Sequence, residues 1–258
     1  MIQLSAAIIT FNEEKNIERC LKSLQGIVDE IIVVDSFSTD KTEEICQKYG
    51  VRFIKNKFEG HVEQKNFAAN SCVNDWVFSL DADEALSEEL QKSILKVIQN
   101  PDFDSYSFNR ATHYCGQHIR HSGWYPDPSL RLWNRNKGKW AGNNPHDRYV
   151  LNIGASRKHI AGDLLHFSFN SIEEHSTQIN KFSTISAMSK FKKGKKSSIF
   201  HITIAPRWRF IHNYILKLGF LDGYFGYVIA VNSAQEVFLK YSKLRNLWKN
   251  SVKESRSK

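Results

Sequence analysis

Two carboxylates stand one residue apart in Asp81-Ala82-Asp83, directly after the apolar run Trp76–Leu80. Such a pair at the end of a strand can share a hard divalent cation, because Mg²⁺ and Mn²⁺ favour oxygen ligands and also bind substrate phosphates. The alternative is a solvated acidic turn that opens the next helix, where carboxylates suit the helix dipole. The position of the pair after a buried strand favours the metal site.

A second acidic segment, residues 35–40 (DSFSTD), follows the second apolar run of the chain. An aspartate at a strand end can accept a hydrogen bond from the imide N–H of a nucleobase, whereas Asp40 with Glu43 can simply cap the next helix. In α/β sheets, ligands bind beyond the carboxyl ends of the strands, and only Asp35 lies at such an end. We therefore predict that Asp35 contacts a ligand and that Asp40 is a cap.

The elements that must position these residues alternate through the first hundred residues. The predicted strands are Leu4–Thr10, Glu30–Val34, Val51–Ile54 and Trp76–Leu80. The predicted helices are Glu13–Gln25 with Asn12 as its N-cap, Thr39–Tyr49, His61–Cys72 and Ser87–Gln99. This alternation predicts an α/β fold, a Rossmann-like, mainly parallel sheet with helices on both faces.

The pattern changes in the second part of the chain. Residues 104–169 are rich in Gly, Pro, Asn, Trp and His, which predicts irregular β structure and loops. Ser171–Lys193 is predicted to be a long helix, with a capping box of Ser171 and Glu174 at its start and Gly194 as its stop. Pro206–Trp248 is predicted to be helical and is unusually aromatic.

Composition limits the class of protein. A chain of 258 residues with 41% apolar and 24% charged residues is long enough for a substantial core and is not mainly disordered. The net charge of +9 lies in the C-terminal part, since residues 189–258 hold 15 Lys/Arg against 3 Asp/Glu and the rest has a balance of −3. Such a basic segment suits anionic lipid, nucleic acid or only solvent.

Cysteine usage and the N-terminus favour a cytoplasmic protein. The four cysteines form no C-x-x-C pair, so reduced thiols are the simplest interpretation. The first residues, MIQLSAAIITFNEE, have no basic segment at their start and reach acidic residues early. We interpret them as a first strand and not as a signal peptide.

Three motifs together resemble the inverting, GT-A fold glycosyltransferases of family 2: AIITFNEEKNIERCLKSL, EIIVVDSFSTDKT and DWVFSLDADE. The stretches GHVEQKNFAAN and RHSGWYPDPSLRLWNR and the later PHD segment are similar to the branch that contains lipopolysaccharide core β-glucosyltransferases. The resemblance implies a GT-A catalytic domain over residues 1–195, with a nucleotide-sugar half (1–100) and an acceptor half (101–195). Residues 196–258 would form a basic aromatic helical tail.

The resemblance also implies roles for residues of the donor site. The pocket for the base of the donor would be lined by Thr10, Phe11 and Glu13, and Asp35 would contact the uracil of a UDP carrier. Asp81 would approach the ribose or the sugar, and Asp83 would bind the Mg²⁺ or Mn²⁺ that bridges the diphosphate. Lys65 is a further candidate for contact with the diphosphate, although a lysine on a helix is more often solvated.

An inverting transferase needs one general base, since the acceptor hydroxyl loses its proton during a single displacement. The candidate is Asp147 in the segment Asn143-Asn144-Pro145-His146-Asp147, where family relatives carry His-Glu and this chain has the shorter acid. The alternative is that Asp147 pairs with Arg148 or turns the chain after Pro145. Asp127 is the rival catalytic acid.

His166 in GDLLHFSF is a candidate to complete the metal shell, as a late histidine does in related folds. Neutral imidazole is compatible with Mn²⁺. The alternative for His166 is a hydrogen-bonded structural residue. Trp124, Tyr125, Trp133 and Trp140 offer faces for sugar rings, although core packing is the default for each of them.

The C-terminal helices contain no apolar run near the roughly 20 residues that span a bilayer. Their Lys and Arg residues, next to Trp and Tyr, favour helices that lie on an anionic membrane surface. A helical hairpin packed on the catalytic domain, or an oligomer interface, is the alternative. The location predicted for the protein is the cytosolic face of the inner membrane, as a peripheral protein.

The function predicted from these features is metal-dependent transfer of a hexose, with glucose as the first candidate, from a UDP-sugar to a lipid-linked saccharide such as the lipopolysaccharide inner core. A second hypothesis keeps the fold but changes the acceptor to a capsule, an exopolysaccharide or a protein side chain. A nucleic-acid-binding module is the third hypothesis, and the sequence lacks the RRM, KH and zinc-finger signatures that it would need.

Overall fold

The computed structural model of the protein describes residues 1–143 and 146–256. It divides into two compact units, which we call the sheet unit and the helical unit. The sheet unit consists of Met1–Ala111 and Asp127–Phe167, and the helical unit consists of Thr112–Pro126 and Ser168–Lys258. The predicted division at residue 195 does not coincide with this one, because the long helix that precedes residue 195 belongs to the helical unit.

The described residues contain eleven strands. They are β1 (Leu4–Thr10), β2 (Glu30–Asp35), β3 (Arg52–Lys55), β4 (Trp76–Asp81), β5 (Glu84–Leu86), β6 (Ser105–Tyr114), β7 (Gln117–His118), β8 (Pro128–Asn134), β9 (Gly138–Asn143), β10 (His146–Leu151) and β11 (Arg157–Phe169). The described α-helices are α1 (Ile17–Leu24), α2 (Thr42–Lys48), α3 (His61–Ser71), α4 (Glu88–Gln99), α5 (Ile172–Lys192), α6 (Ile199–Ile211) and α7 (Gly223–Arg256). A π-helical turn, His212–Leu216, extends α6, and short 3₁₀ turns cover Arg135–Lys137 and Gly219–Asp222.

The main sheet has the order β3-β2-β1-β4-β8-β6-β11-β5, with β7 paired to β6. The first four strands are parallel, as predicted, and β8 turns the sheet antiparallel against β4 and β6. The sheet is therefore mixed, with its parallel part formed by the first hundred residues. Strands β1, β2 and β4 are continuous apolar runs because both of their faces are buried, in two separate hydrophobic clusters.

The register of the parallel strands brings the predicted site residues to one edge. Thr10 lies opposite Asp35, and Ile9 lies opposite Asp81. Three strands therefore end at the same level, each with a polar residue that the sequence marks as a ligand candidate. This edge is the carboxyl end of the parallel strands, where ligands bind in α/β sheets.

The predicted start of α1 is wrong. Helix α1 begins at Ile17, with Asn16 in the N-cap position, and not directly after Asn12. Asn12 instead adopts a left-handed conformation with φ of 54°, and its Oδ1 accepts a hydrogen bond from the backbone N–H of Thr39 at 2.8 Å. Asparagine tolerates this conformation better than most residues. The side chain of Asn12 therefore joins the loop after β1 to the loop after β2.

In the helical unit, the predicted boundaries of α5 are confirmed. The Ser171 side chain caps the helix by accepting a hydrogen bond from the backbone N–H of Glu174, and Gly194, with φ of 68°, follows its end. Helix α5 is joined to α7 by Lys243, whose Nζ donates to oxygen atoms of Asn180 and Ser183 at 2.7–2.8 Å. These contacts explain why α5 groups with the C-terminal helices.

Within the described residues, none of the helices taken singly has both the length and the apolar composition needed to cross a bilayer. The segments Ile199–Leu216 and Gly219–Ser251, which are bent by 71° at their junction, meet those criteria only when they are combined.

Candidate active site

The site is built around Lys65, which lies on α3 behind the carboxyl ends of the strands. Its side chain is 6% exposed, and its Nζ lies 3.2 Å from Asp81 Oδ1 and 2.9 Å from Asp147 Oδ2. The alternative of a solvated lysine is therefore wrong. Burial of an ammonium group requires such partners, because an unpaired charge away from water is costly.

Asp147 reaches Lys65 because the hairpin of β9 and β10 packs on α3. The side-chain amide of Asn66 makes two hydrogen bonds with the backbone of Trp140 on β9, at 2.9 and 3.0 Å. Asp147 lies on β10, opposite Gly142 of β9. The asparagine next to Lys65 therefore fixes the strand pair that carries the candidate base. The predicted donor residue Asp81 and the predicted base Asp147 share one cation, with Asp147 12% exposed.

Arg131 and Glu84 complete the charged cluster, and the sequence analysis missed both. Arg131 Nη2 donates to Asp81 Oδ2 at 3.1 Å and to Glu84 Oε1 at 2.8 Å, and Glu84 Oε2 accepts from the backbone N–H of Asp81 at 2.9 Å. An arginine between Leu130 and Leu132 in an alternating strand is the sequence signal that could have indicated a buried cation. Glu84 is the first residue of the buried strand β5.

The charges of this cluster move the pKa values of its carboxyl groups in opposite directions. Burial acts to raise the pKa of Asp81, but the neighbouring Lys65 and Arg131 outweigh it and hold that pKa below its usual range. Burial raises the pKa of Glu84, and the attraction of Arg131 offsets this rise only in part. The carboxylate of Asp81 is therefore the one held in the charged form.

The two predicted metal ligands are neighbours. His166 Nε2 lies 3.2 Å from Asp83 Oδ2, and the side chains are 17% and 25% exposed. They meet because β11 pairs with β5 with His166 opposite Glu84, and because the backbone N–H of Phe167 donates to the carbonyl of Asp83 at 2.9 Å. Residues 1–143 and 146–256 contain no group of three or more His, Cys, Asp or Glu side chains able to hold a metal.

A carboxylate and an imidazole on one partly exposed edge nonetheless fit a divalent cation that takes its other ligands from substrate. Mg²⁺ is usually held by one or two carboxylates, with waters and substrate phosphates filling the remaining positions, and Mn²⁺ also accepts imidazole. Asp83 and His166 are the residues that would hold such a cation, and each keeps some exposure toward solvent.

The residues of the predicted base pocket lie at the ends of β1 and β2. Asp35 is fully buried and accepts hydrogen bonds from the backbone N–H and the hydroxyl of Ser38, the former at 2.8 Å. Asp40 Oδ1 accepts from the backbone N–H of Thr42, the first residue of α2, at 3.0 Å. The N-cap position is held by Lys41, and Asp40, one residue earlier, still binds the first turn of the helix through its side chain. The carboxylate of Asp35 is fixed in place at the strand end.

Three residues of the segment after β1 differ in their surroundings. Thr10 Oγ1 is buried and has no hydrogen-bond partner among the described residues, whereas the Phe11 side chain is 56% exposed. Burial raises the pKa of Glu13 to about 7, against the opposing hydrogen bond from Asn16 and with further repulsion from Asp83. The exposed ring of Phe11 is accessible to a ligand, whereas the Thr10 hydroxyl is a buried polar group without a partner in the part of the chain that the structure describes.

Asp127, the rival candidate for the catalytic base, pairs with Arg110 and not with Lys65. Its Oδ2 accepts from Arg110 Nε at 2.9 Å and from Arg110 Nη2 at 2.8 Å, and its side chain is 41% exposed. Trp140 and Trp133 are buried and pack with Tyr149, so core packing is confirmed as the role of these two tryptophans. Only Asp147 of the two acids shares a partner with Asp81.

Comparison with known proteins gives matches in sequence and in structure. The sequence model of the family described as glycosyl transferase family 2 matches residues 5–161. An uncharacterized glycosyltransferase of Rickettsia typhi is 34% identical over 258 residues, which cover 96% of this chain and 88% of that protein. The lipopolysaccharide core biosynthesis glycosyltransferase LpsC of Rhizobium meliloti is 30% identical over 252 residues, covering 94% of this chain and 92% of LpsC. The solved structure of S. aureus TarS 1–349 has a TM-score of 0.44 and 14% identity, covering 97% of this chain and 92% of that one.

The chain belongs to glycosyltransferase family 2, because the family model matches more than half of it and the two sequence relatives span nearly all of it. The protein is a glycosyltransferase with the GT-A fold, and the predictions of family, fold class and enzyme class are confirmed.

Proposed function

We propose that the protein is an inverting, metal-dependent hexosyltransferase that uses a UDP-sugar, with glucose as the first sugar to test. The acceptor that we propose is a lipid-linked saccharide such as the lipopolysaccharide inner core. The observation that carries this proposal is the position of Lys65, whose ammonium group contacts both Asp81 and Asp147. A residue predicted for the donor and a residue predicted for the acceptor proton therefore lie on either side of a single cation.

On the donor side, Asp83 and His166 would hold Mg²⁺ or Mn²⁺. When bound, the cation supplies Lewis-acid stabilisation of the negative charge that develops on the leaving diphosphate. Asp35 and the unpartnered hydroxyl of Thr10 lie at the adjacent strand ends, where they would bind the nucleoside. Lys65 is the cation that Asp81 and Asp147 share, so it can exchange one of these partners for a donor phosphate.

On the acceptor side, Asp147 would take the proton of the attacking hydroxyl. The hydroxyl oxygen forms the new bond to the anomeric carbon while the bond from that carbon to the diphosphate oxygen breaks, and the proton passes to Asp147. The Lys65 ammonium fixes where this carboxylate lies, at 2.9 Å. A single displacement of this kind inverts the configuration of the anomeric carbon.

The acceptor class is supported by LpsC, whose name describes lipopolysaccharide core biosynthesis and which matches this chain over 94% of its length. A capsule, exopolysaccharide or protein acceptor keeps the same donor site and is the second candidate. The family assignment disfavours the nucleic-acid-binding module.

A donor screen tests the proposal. UDP-glucose, UDP-galactose and UDP-N-acetylglucosamine, together with GDP-mannose as a non-uridine control, are incubated with Mn²⁺, Mg²⁺ or EDTA. We expect metal-dependent protection against thermal unfolding by the UDP-sugars only, and release of UDP from one of them. Adding deglucosylated lipopolysaccharide core should increase UDP release and yield an inverted glycosidic bond detectable by NMR. Equal protection in EDTA, or protection by GDP-mannose alone, would contradict the proposed donor.

A further inference from the structure

The helical unit carries apolar side chains on its outside. Every residue of α6 is at least partly exposed, although the helix is rich in Ile, Phe and Trp. One ridge of α6 and its π-helical extension is apolar throughout and 42–62% exposed: Phe200, Ile204, Trp208, Ile211 and Ile215. We call these five residues the outer ridge. An amphipathic helix of a soluble unit normally turns such a ridge inward.

The apolar surface continues around the turn between α6 and α7. The bend after α6 exposes four large side chains by 45–58%: Leu216, Leu218, Phe220 and Leu221. The first turns of α7 add Tyr224 at 68%, Tyr227 at 49% and Val231 at 38% exposure. We call the residues of the bend and of the start of α7 the tip. A large patch of exposed apolar side chains on a protein surface is typical of an interaction site.

The exposed charged residues of this surface are basic, since Asp222 in the bend is buried. From His175 to Leu221 the chain contains no Asp or Glu and nine Lys or Arg residues. Arg207, Arg209 and Lys217 are exposed and lie in the same segments as the outer ridge and the tip. An anionic bilayer has negatively charged headgroups above an apolar interior. Basic side chains next to apolar and aromatic ones match both of these layers.

We propose that the outer ridge and the tip bind the surface of an anionic lipid bilayer, with both helices lying in the interface. In this position Trp208 and Tyr224 would occupy the headgroup level, which suits rings with an apolar body and a polar edge. The basic side chains would contact lipid phosphates. The inference rests on the surface of the helical unit alone and does not require the proposed donor or acceptor.

A vesicle-binding assay with the full chain tests this inference. The vesicles contain phosphatidylethanolamine with 30% phosphatidylglycerol, or phosphatidylcholine alone, and bound protein is measured by co-sedimentation. The wild type should bind the anionic vesicles, and binding should fall in 0.5 M NaCl. The variant R207Q/R209Q/K217Q should bind them about 10- to 100-fold more weakly, since each basic side chain near the surface contributes separately. Its control, K57Q/K92Q/K96Q, removes three exposed lysines of the sheet unit and should bind like the wild type.

The apolar contribution is tested with W208S/L221S, which changes two side chains that are 58% exposed and should keep the thermal unfolding midpoint. Its binding should fall at least about 10-fold, because apolar burial contributes to interfacial binding. The control V73S/I153S removes two exposed side chains of the sheet unit and should have no effect.

Two results would overturn the inference. One is equal vesicle binding by the two test variants and their controls. The other is a wild-type dimer in light scattering that W208S/L221S converts to a monomer while neither protein binds vesicles, which would assign the surface to a second copy of the chain. UDP-sugar protection serves as an independent readout, because it should be the same in all of these variants.

Discussion

The two units each bury a polar cluster, and the two clusters are built in opposite ways. The cluster of the sheet unit is charged, with Lys65 and Arg131 facing Asp81, Asp147 and Glu84. The cluster of the helical unit is neutral: His175 Nδ1 lies 3.0 Å from the Tyr114 hydroxyl and 2.8 Å from Asn232 Nδ2. Burial lowers the pKa of His175 to about 4, so this imidazole stays uncharged at neutral pH.

The difference indicates which cluster is functional and which is structural. Buried ion pairs often contribute no more stability than apolar side chains of the same size, because desolvation offsets their attraction. A neutral hydrogen-bonded cluster avoids that cost and stabilises the packing around it. The sheet unit therefore keeps charges at the strand ends where we propose that the donor and the acceptor bind, and the helical unit keeps none at its buried histidine.

The largest effect should come from Asp83→Asn, which removes a candidate metal ligand at the edge of the charged cluster. We expect turnover to fall on the order of 10⁴-fold, since several kcal/mol of charge stabilisation on the leaving group depend on the bound cation. Protection of the protein by UDP with Mn²⁺ should also be lost. The measurement is UDP release, together with thermal unfolding with and without Mn²⁺.

Asp102→Asn is the matched control, because this carboxylate is 57% exposed and pairs only with Lys158 among the described contacts. It should behave like the wild type in both assays. If Asp83→Asn retained its activity and its Mn²⁺ response, Asp83 would have no role as a metal ligand.

Asp147→Asn should reduce turnover by about 10²–10⁴-fold while donor protection persists, because a positioned base contributes this much and does not bind the nucleotide. Single-turnover kinetics with a saturating donor is the appropriate measurement. Asp127→Asn is the comparison, since its carboxylate is held by Arg110 and is expected to matter less. A large loss in Asp127→Asn with a near-normal rate in Asp147→Asn would assign the base to Asp127.

Arg131→Met tests the energetic side of the comparison. This substitution removes the guanidinium group that pairs with both Asp81 and Glu84. We expect a loss of about 3–5 kcal/mol in the free energy of unfolding, because the remaining partners are buried. The pair of Arg52 and Glu30, whose side chains are 53% and 15% exposed, is the control, and Arg52→Met should cost less than about 1 kcal/mol. Urea denaturation measures both variants.

Adding Asp81→Asn to Arg131→Met should restore part of the lost stability, because Asp81 is the carboxylate that Arg131 helps to hold in the charged form. A double variant no more stable than the single one would show that the loss comes from packing and not from charge.

The smallest effect concerns pH and His175. Its folded-state pKa of about 4 lies below the ordinary value of 6.5, so between these values the unfolded chain binds a proton that the folded chain does not. The stability due to this group is fully present above about pH 6.5 and is lost as the pH falls, by about 3 kcal/mol near pH 4. The measurement is the free energy of unfolding at pH 7 and pH 4.5 for the wild type and for His175→Gln.

The wild type and His175→Gln share all other titrating groups, such as Glu13. The difference in the stability that they lose between pH 7 and pH 4.5 is therefore due to His175. We expect the wild type to lose more stability than His175→Gln over this range. Parallel pH profiles of the two proteins would mean that folding does not lower the pKa of His175, and the contrast with the sheet unit would lose this support.

The parallel part of the fold and the strand-end residues could be predicted from the sequence because they depend on local patterns. Apolar runs of strand length alternate with helical periodicity, and an acid stands where each of two strands ends. The start of α1 could not be found in this way, because Asn12 uses its side chain to bind the backbone of Thr39, 27 residues away. The partners of Lys65 could not be predicted from local patterns either, since Asp147 is 82 residues away in the chain.

What the amino-acid order alone determined is therefore the family, the first four strands along the chain with their parallel pairing, and the acidic residues at the ends of two of them. Only the tertiary structure decided that Lys65 is buried between Asp81 and Asp147, that Arg131 and Glu84 support them, and that the apolar ridge of α6 faces outward. The physical reason is that strand and helix signals are local, whereas the pairing of a buried charge, and the side of a helix that stays exposed, depend on segments brought together by packing.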